Sequence, residues 1–451
     1  MKVIQVPFGF YPDPVGGTEI YVERLAGRLD DHGVEVVIAA PGGRSGSYRH
    51  DGLRVRRFAV APTVDDVRDL YGEGDRVAAR AFGEILDSER PELVHLHAFT
   101  RGVSLRLVRE AKARRAPVVF TYHTPTVSCQ RGTLMRWGSE VCSGQLDAGL
   151  CARCTLHGLG LPRPLAEIAG RLPAAAGSLA AAMLPSGSLA TALRMRELVA
   201  TRHTACRALL HETDRVVALC QWVWDLLVLN GVHPAKITLS RQGVNGESLI
   251  PDRTASSQRT GPVRVAFLGR LDPTKGAHVL ISALRSAVDL PVTLDLYGIV
   301  HGEAEAMYLA RLRELAAGDP RIRFRDAISA SAVVACLEDH DAMAVPSQWL
   351  ETGPLVVLEA LAAGTPVVGS RLGGVAELIE DGVNGLLVEA GAPEAWRRAL
   401  QRLCSDPELL VHLRKGIRPP RTMATVAAEM HELYRAILRT RSRHPDATMP
   451  A

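Results

Sequence analysis

Aromatic residues are scarce, 5% of the 451 positions, and neither sign of charge dominates: 53 Lys and Arg stand against 49 Asp and Glu, a formal net charge of +4. So near-neutral a chain offers no broad basic surface for nucleic acid, only a mild bias toward anionic substrates or an acidic membrane surface. Long apolar runs are missing too. The weakly polar stretch from Leu165 to Leu184 is broken by Glu167, Arg171, Pro173 and Gly177, which makes it a poor membrane span. The opening run, Lys2 to Pro7, is too short for a signal peptide and reads as a strand. A cytoplasmic protein is expected, with peripheral contact at the inner face of the membrane as a second reading.

What remains is a globular composition, 47% hydrophobic, in a chain longer than one core usually organises, so two domains are expected. Strand patterns at Lys2–Pro7, Val34–Ala39, Leu53–Phe58, Leu93–Leu96, Pro117–Tyr122 and Arg215–Leu219 alternate with helical spacing at Thr18–Asp30 and Val103–Arg114. Strands separated by helices imply a parallel, doubly wound α/β sheet, with ligands beyond the carboxyl ends of the strands. A second alternation runs through Val263–Leu268, Val292–Tyr297, Arg321–Phe324, Asp341–Val345, Pro366–Val368 and Gly385–Val388. The expected division is a first domain over 1–243, a second over 244–421 after a polar linker at Asn245–Gly261, a helix over 422–440 and a disordered tail over 441–451.

The most informative stretch is Pro346 to Val368. A strand end leads into a polar loop holding Glu351, then Thr352-Gly353-Pro354 opens a helix closed by Gly364. The hydroxyl of Thr352 is expected to cap it. The free N–H groups of Gly353, Leu355 and Val356 at that helix start suit a phosphate. Glu351 and Glu359 flank the place as acceptor-only carboxylates fit for sugar hydroxyls, and Glu359 interrupts a helix that is otherwise apolar. Upstream, the loop Gly269–Gly276 carries Arg270 and Lys275, a fork and a mobile ammonium able to neutralise phosphates.

This stretch resembles the signature of the retaining glycosyltransferases of family 4: a Pro-Ser pair, a glutamate, a proline-containing turn, and a second glutamate eight positions after the first. Gly16-Gly17-Thr18-Glu19, Gly298, Gly373-Gly374 and Gly382-Val383-Asn384-Gly385 are also similar to that family. The resemblance implies the GT-B fold, two Rossmann-like domains facing across a cleft, and an enzyme moving a sugar from a nucleoside diphosphate sugar, UDP- or GDP-linked, to a hydroxyl of a glycan, a lipid-linked acceptor or a small molecule. It implies that Glu359 holds the ribose, Glu351 a sugar hydroxyl, Thr352 to Val356 and Gly298 the donor, and Arg270 and Lys275 the diphosphate. It also places His123 on the transferred sugar and Gly16, Gly17 and His97 on the acceptor side. His95 and His97 are expected on opposite faces of their strand, one structural and one functional. The chain offers no obvious protein nucleophile, and no cofactor is expected for the chemistry. Competing readings are a GT-B phosphorylase or nucleotide-sugar epimerase, and a non-catalytic scaffold.

Residues 124–214 are too long for an ordinary connection and form an insertion. Four of the eight cysteines, Cys129, Cys142, Cys151 and Cys154, gather in a segment with little apolar material for a core. In a reducing compartment a structural zinc is expected there, with His157 able to replace one ligand and unpaired thiols, disulfides or an iron-sulfur cluster as alternatives. The following Ala-rich segment to about Leu198 reads as a helical lid, short of large anchors for a membrane.

Overall fold

In the computed structural model, residues 1–63, 67–183, 187–245 and 261–443 are described. Most of the expected linker, 246–260, and the tail from 444 lie outside them. The chain divides into two units: Met1–Arg241 with the segment from Met423, and Gln242–Thr422.

The first unit holds β1 (Lys2–Val6), β2 (Glu35–Gly42), β3 (Gly46–His50), β4 (Leu53–Ala59), β5 (Leu93–Leu96), β6 (Val118–Tyr122), β9 (Arg215–Ala218) and β10 (Ile237–Leu239), and a small hairpin of β7 (Met135–Arg136) and β8 (Glu140–Val141). The main sheet runs in the order β10-β9-β6-β5-β1-β2-β4-β3. Its central strands are short apolar runs because helices cover both faces. The edge strand β3 is antiparallel to β4. Its sequence, Gly-Ser-Tyr-Arg-His, has no apolar run and gave no strand signal. Helix Gly17–Asp30 packs Val22, Leu25, Ala26 and Leu29 into one cluster with Met423, Val426, Met430, Tyr434 and Ile437 of helix Met423–Arg443. That helix continues past 440, into the start of the expected tail.

The second unit is an all-parallel sheet of β11 (Val263–Arg270), β12 (Val292–Ile299), β13 (Ile322–Arg325), β14 (Ala342–Val345), β15 (Val367–Ser370) and β16 (Gly385–Val388), in the order β13-β12-β11-β14-β15-β16. Its core surrounds the fully buried Trp396, with Leu280, Leu284, Leu294 and Leu400. In each sheet the first strand lies between strands that follow it on either side, so connections depart in opposite directions and leave a crevice at its carboxyl end. In the second unit this brings the turn after β11 beside the loop after β14, where Gln348 N–H donates to the Thr274 carbonyl at 2.6 Å.

The segment 124–214, expected as an insertion, is mostly helical: Ala148–Gly158, Arg163–Ala169, Ala174–Ala182, Ser188–Leu193 and Met195–Glu212. Large apolar side chains are present and face outward, since Leu165, Ile168, Leu179 and Leu189 are each more than half exposed. No helix among the described residues is long and apolar enough to cross a membrane.

Candidate functional site

In the second unit, β11 runs two residues further than its apolar pattern, pairing Gly269 with Gly298 and Arg270 with Ile299. Arg270 is therefore the last strand residue and not part of the loop. It is turned toward the carboxylates of Asp272, at 3.1 Å, and Glu305, at 3.5 Å. Gly298 leaves room for Leu271, whose side chain a Cβ there would meet at 2.4 Å. Asp272 then accepts from Thr274 N–H at 2.8 Å and holds the tight turn Pro273–Lys275. Gly276 follows with φ +76°, where a Cβ would stand 1.8 Å from the Pro346 carbonyl oxygen.

That close approach delivers Lys275 to the loop after β14. Its Nζ donates to Glu351 Oε1 at 2.6 Å, and the Ser347 hydroxyl donates to the same oxygen at 2.8 Å. Lys275 Nζ also lies 5.3 Å from the centre of the Trp349 ring. Glu351 is buried, 6% exposed, with both donors on one of its oxygens. From behind, Gly374 N–H donates to the Glu351 carbonyl at 2.6 Å, and a Cβ on Gly374 would stand 2.8 Å from that oxygen. The Gly373-Gly374 pair is thus a matter of space.

The helix after this loop spans Leu355–Ala362, with Pro354 as its N-cap residue and no side-chain cap. The expected cap by Thr352 is corrected: Thr352 stands two residues before the N-cap position and is itself buried. An uncapped helix start presents its first N–H groups, those of Leu355 and Val356, without intrahelical acceptors. Glu359 lies in the next turn, 7% exposed. Gly364, φ +66°, closes the helix as expected.

In the first unit, Gly16 is the N-cap of helix Gly17–Asp30, and its N–H donates to the Glu19 carboxylate at 2.8 Å. The start of this helix holds the chain's own carboxylate, which burial pushes up in pKa against the lowering effect of the Gly16 N–H. At the ends of β5 and β6 sits a buried chain of polar groups that the sequence did not announce. His123 Nε2 is 2.9 Å from His97 Nδ1, and His97 Nε2 is 2.6 Å from Gln5 Oε1. Gln5 Nε2 donates to Tyr434 OH at 3.1 Å; that oxygen is 2.6 Å from His95 Nδ1, and His95 Nε2 is 2.7 Å from Thr121 Oγ1. The expected opposite orientation of His95 and His97 fails, because residues two apart in a strand share a face; their rings lie 4.0 Å apart.

The Gln5 amide assigns the protons. Its oxygen accepts, so His97 carries its hydrogen on Nε2, and its Nδ1 accepts a hydrogen bond from His123 Nε2–H. Burial holds all three imidazoles neutral: His123 is lowered to about 3, and His95 and His97 fall well below 6.5. Their folded pKa values lie below the unfolded value, so above about pH 6.5 they leave stability unchanged. Below it, the unfolded chain gains protons that the folded chain refuses. Stability is expected to drop by about 1.4 kcal/mol per pH unit for each such histidine as pH falls toward 3. A melting temperature that is level above pH 6.5, declines below it, and declines less in His97→Gln is the expected result; a flat profile from pH 7.5 to 5 would contradict it. Arg202, nine-tenths buried, ties the adjoining loops by donating to the Phe99 carbonyl at 2.9 Å and the Thr126 carbonyl at 3.2 Å.

The four insertion cysteines are free thiols sharing one neighbourhood. Cys151 is pushed up to about 12 by burial and then by the thiols of Cys129 and Cys142, with Cys154 adding less. The hairpin β7–β8 lies between Cys129 and Cys142, and Cys151 and Cys154 ride on helix Ala148–Gly158. His157 Nδ1 is 3.0 Å from the Leu161 carbonyl. Among the described residues, the one group of His, Cys, Asp or Glu with at least three ligand atoms mutually within 4.8 Å is Glu23, His50 and Asp51.

Residues 16–243 match the glycosyl transferase 4-like domain, and residues 251–418 match glycosyl transferases group 1. The D-inositol 3-phosphate glycosyltransferase of Salinispora tropica is 34% identical over 424 residues, covering 89% of this chain and 76% of that protein. The protein of the same name from Corynebacterium glutamicum is 33% identical over 226 residues, 47% of this chain and 54% of that protein, so the match spans about half of that relative's length. The solved structure of Anabaena Alr3699/HepE in complex with UDP and glucose is similar in fold, with a TM-score of 0.63 at 15% identity, covering 97% of this chain and 100% of that one.

Proposed function

Because the chain belongs to the family 4 glycosyltransferases, with the GT-B fold, we propose that it transfers a sugar from a nucleoside diphosphate sugar to an acceptor hydroxyl with retention at the anomeric carbon. The observation that carries this reading is the buried Glu351, held by Lys275 and Ser347 beside an uncapped helix start, with a second buried carboxylate, Glu359, eight residues on. The first N–H groups of the Leu355–Ala362 helix and its dipole take the diphosphate. Lys275 and Arg270 neutralise the charge that grows on it as the sugar departs, each exchanging a carboxylate partner for a phosphate. Glu359 accepts from the ribose hydroxyls and Glu351 from a sugar hydroxyl. The leaving phosphate takes the acceptor proton on the same face, so no protein nucleophile is required. With these cations in place the transfer runs without a metal, which turnover undiminished by EDTA would support. His123 serves as a neutral hydrogen-bonding group toward a sugar hydroxyl, since burial keeps it uncharged.

UDP in the Anabaena structure supports a uridine donor, and the names of the two relatives support a phosphorylated polyol as one acceptor to try beside glycan and lipid-linked ones. Nucleotide sugars are made in the cytoplasm, which supports that location. The test is a panel of UDP-, GDP-, ADP- and TDP-sugars, read first by thermal shift and then by release of nucleoside diphosphate with each acceptor class. One donor series should raise the melting temperature. Glu359→Ala should weaken that donor about 10- to 100-fold, the worth of one or two charge-assisted hydrogen bonds. No shift with any nucleotide sugar would overturn the proposal, and sugar phosphate released only with added phosphate would make the protein a phosphorylase.

A further inference from the structure

The transfer reaction leaves the insertion's thiols without a task. We propose that Cys129, Cys142, Cys151 and Cys154 bind one zinc ion that fastens the β7–β8 hairpin to helix Ala148–Gly158. Cys151 and Cys154 are three residues apart on that helix, a spacing that puts both sulfurs on neighbouring positions of one side. The helix start is fixed by Asp147, which accepts from Leu150 N–H at 2.7 Å. Cys142 follows β8 directly and is tied across the hairpin by its N–H to the Leu134 carbonyl at 2.9 Å. Cys129 is anchored before the hairpin by its N–H to the Pro125 carbonyl at 2.8 Å. Two of the sulfurs already accept backbone N–H groups: Trp137 N–H reaches Cys154 Sγ, and Gly144 N–H reaches Cys142 Sγ, each at 3.4 Å. Such donors stabilise thiolate charge, as the groups around a metal's ligands do.

The packing of the segment gives the ion a structural purpose. Among the described residues, its helices share a small cluster of Ala152, Leu156, Ala166, Met195 and Val199. The hairpin stands outside that cluster, although Leu134, Met135 and Trp137 are buried, and its backbone holds Leu134 and Trp137 at φ +52° and +57°, a conformation that persists only where surroundings impose it. A donor set of four sulfurs selects a soft, tetrahedral cation, and zinc is the common one in a reducing compartment. Since no three of these sulfurs yet lie mutually within 4.8 Å, binding draws them inward to the roughly 2.3 Å zinc–sulfur distance, releasing the thiol protons as it does so.

The full-length protein, purified under reducing conditions and dialysed, should hold about one zinc per chain by mass spectrometry of metals. Cys142→Ser and Cys151→Ser should lose it, whereas Cys404→Ser, altered in the second unit, should keep it. Since a ligand variant can fail to fold, the unaltered protein provides the second test: after exchange into cobalt(II) it should show intense sulfur-to-cobalt charge-transfer absorption. Less than a tenth of an equivalent of zinc after zinc is supplied, iron in its place, a disulfide between any two of the four cysteines, or cobalt binding without that absorption would each overturn the proposal. None of these readouts depends on transferase activity, so the two proposals fail separately.

Discussion

Gly276→Ala is expected to cost the second unit about 3 kcal/mol and to lower kcat/KM at least about 100-fold. The left-handed conformation at φ +76° accounts for about 1 kcal/mol of this for any residue with a Cβ. The larger part is the collision with the Pro346 carbonyl oxygen, which is backbone and cannot swing away. Relief comes only by separating the turn after β11 from the loop after β14, which breaks the Gln348–Thr274 hydrogen bond and withdraws Lys275 from Glu351. A fall in melting temperature of roughly 6–12 °C is the corresponding reading for a unit of this size. Gly302→Ala is the control, since a Cβ there meets nothing within 4 Å. Wild-type melting and turnover in Gly276→Ala would show that the close approach is unimportant.

Lys275→Met is expected to lower kcat/KM by about 100-fold or more and to destabilise the fold by about 2 kcal/mol. The two effects have separate origins. Turnover falls because the departing diphosphate loses an ammonium. Stability falls because Glu351, with 8% of its side chain exposed, loses the cation beside it while Lys275, at 22%, keeps partial access to water; that access is why the cost is set below the full value for a buried pair. The same asymmetry makes Glu351→Gln the milder change for stability, since the ammonium it releases can hydrate. The double variant Lys275→Met/Glu351→Gln should recover most of the lost stability and none of the turnover. Denaturant melts of the four proteins, with nucleoside diphosphate release for each, provide the check. Strictly additive stabilities would mean that the 2.6 Å contact carries no coupling.

The second unit's site was legible because its parts are local. Glu351, the helix start at Leu355 and Glu359 lie within nine residues. The turn carrying Lys275 follows a strand whose apolar pattern is plain. What misled there was a boundary: polar Arg270 looked like loop, but backbone pairing with Ile299 extends the strand regardless of side chain. The capping of helix Leu355–Ala362 was misplaced for a similar reason, as a hydroxyl two residues too early satisfies the pattern and not the geometry. In the first unit the alternation of strands and helices was readable, and β3 was not, since a polar edge strand leaves no period. The histidine network lay beyond any local pattern. His95, His97 and His123 stood out singly, but only Gln5, a lone amide in the apolar run Val3-Ile4-Gln5-Val6, hinted at a buried partner that would join them.

The bond between Gln5 and Tyr434 joins residues 429 positions apart, and it sets an order of assembly. On the ribosome, at about 5–20 residues per second, Tyr434 emerges on the order of 20–90 s after Gln5. Throughout that interval Gln5 and His95 lack the hydroxyl that joins them, and the face of helix Gly17–Asp30 that packs on helix Met423–Arg443 stays uncovered. The second unit, drawn from one uninterrupted stretch, is complete before then. The half that starts first finishes last.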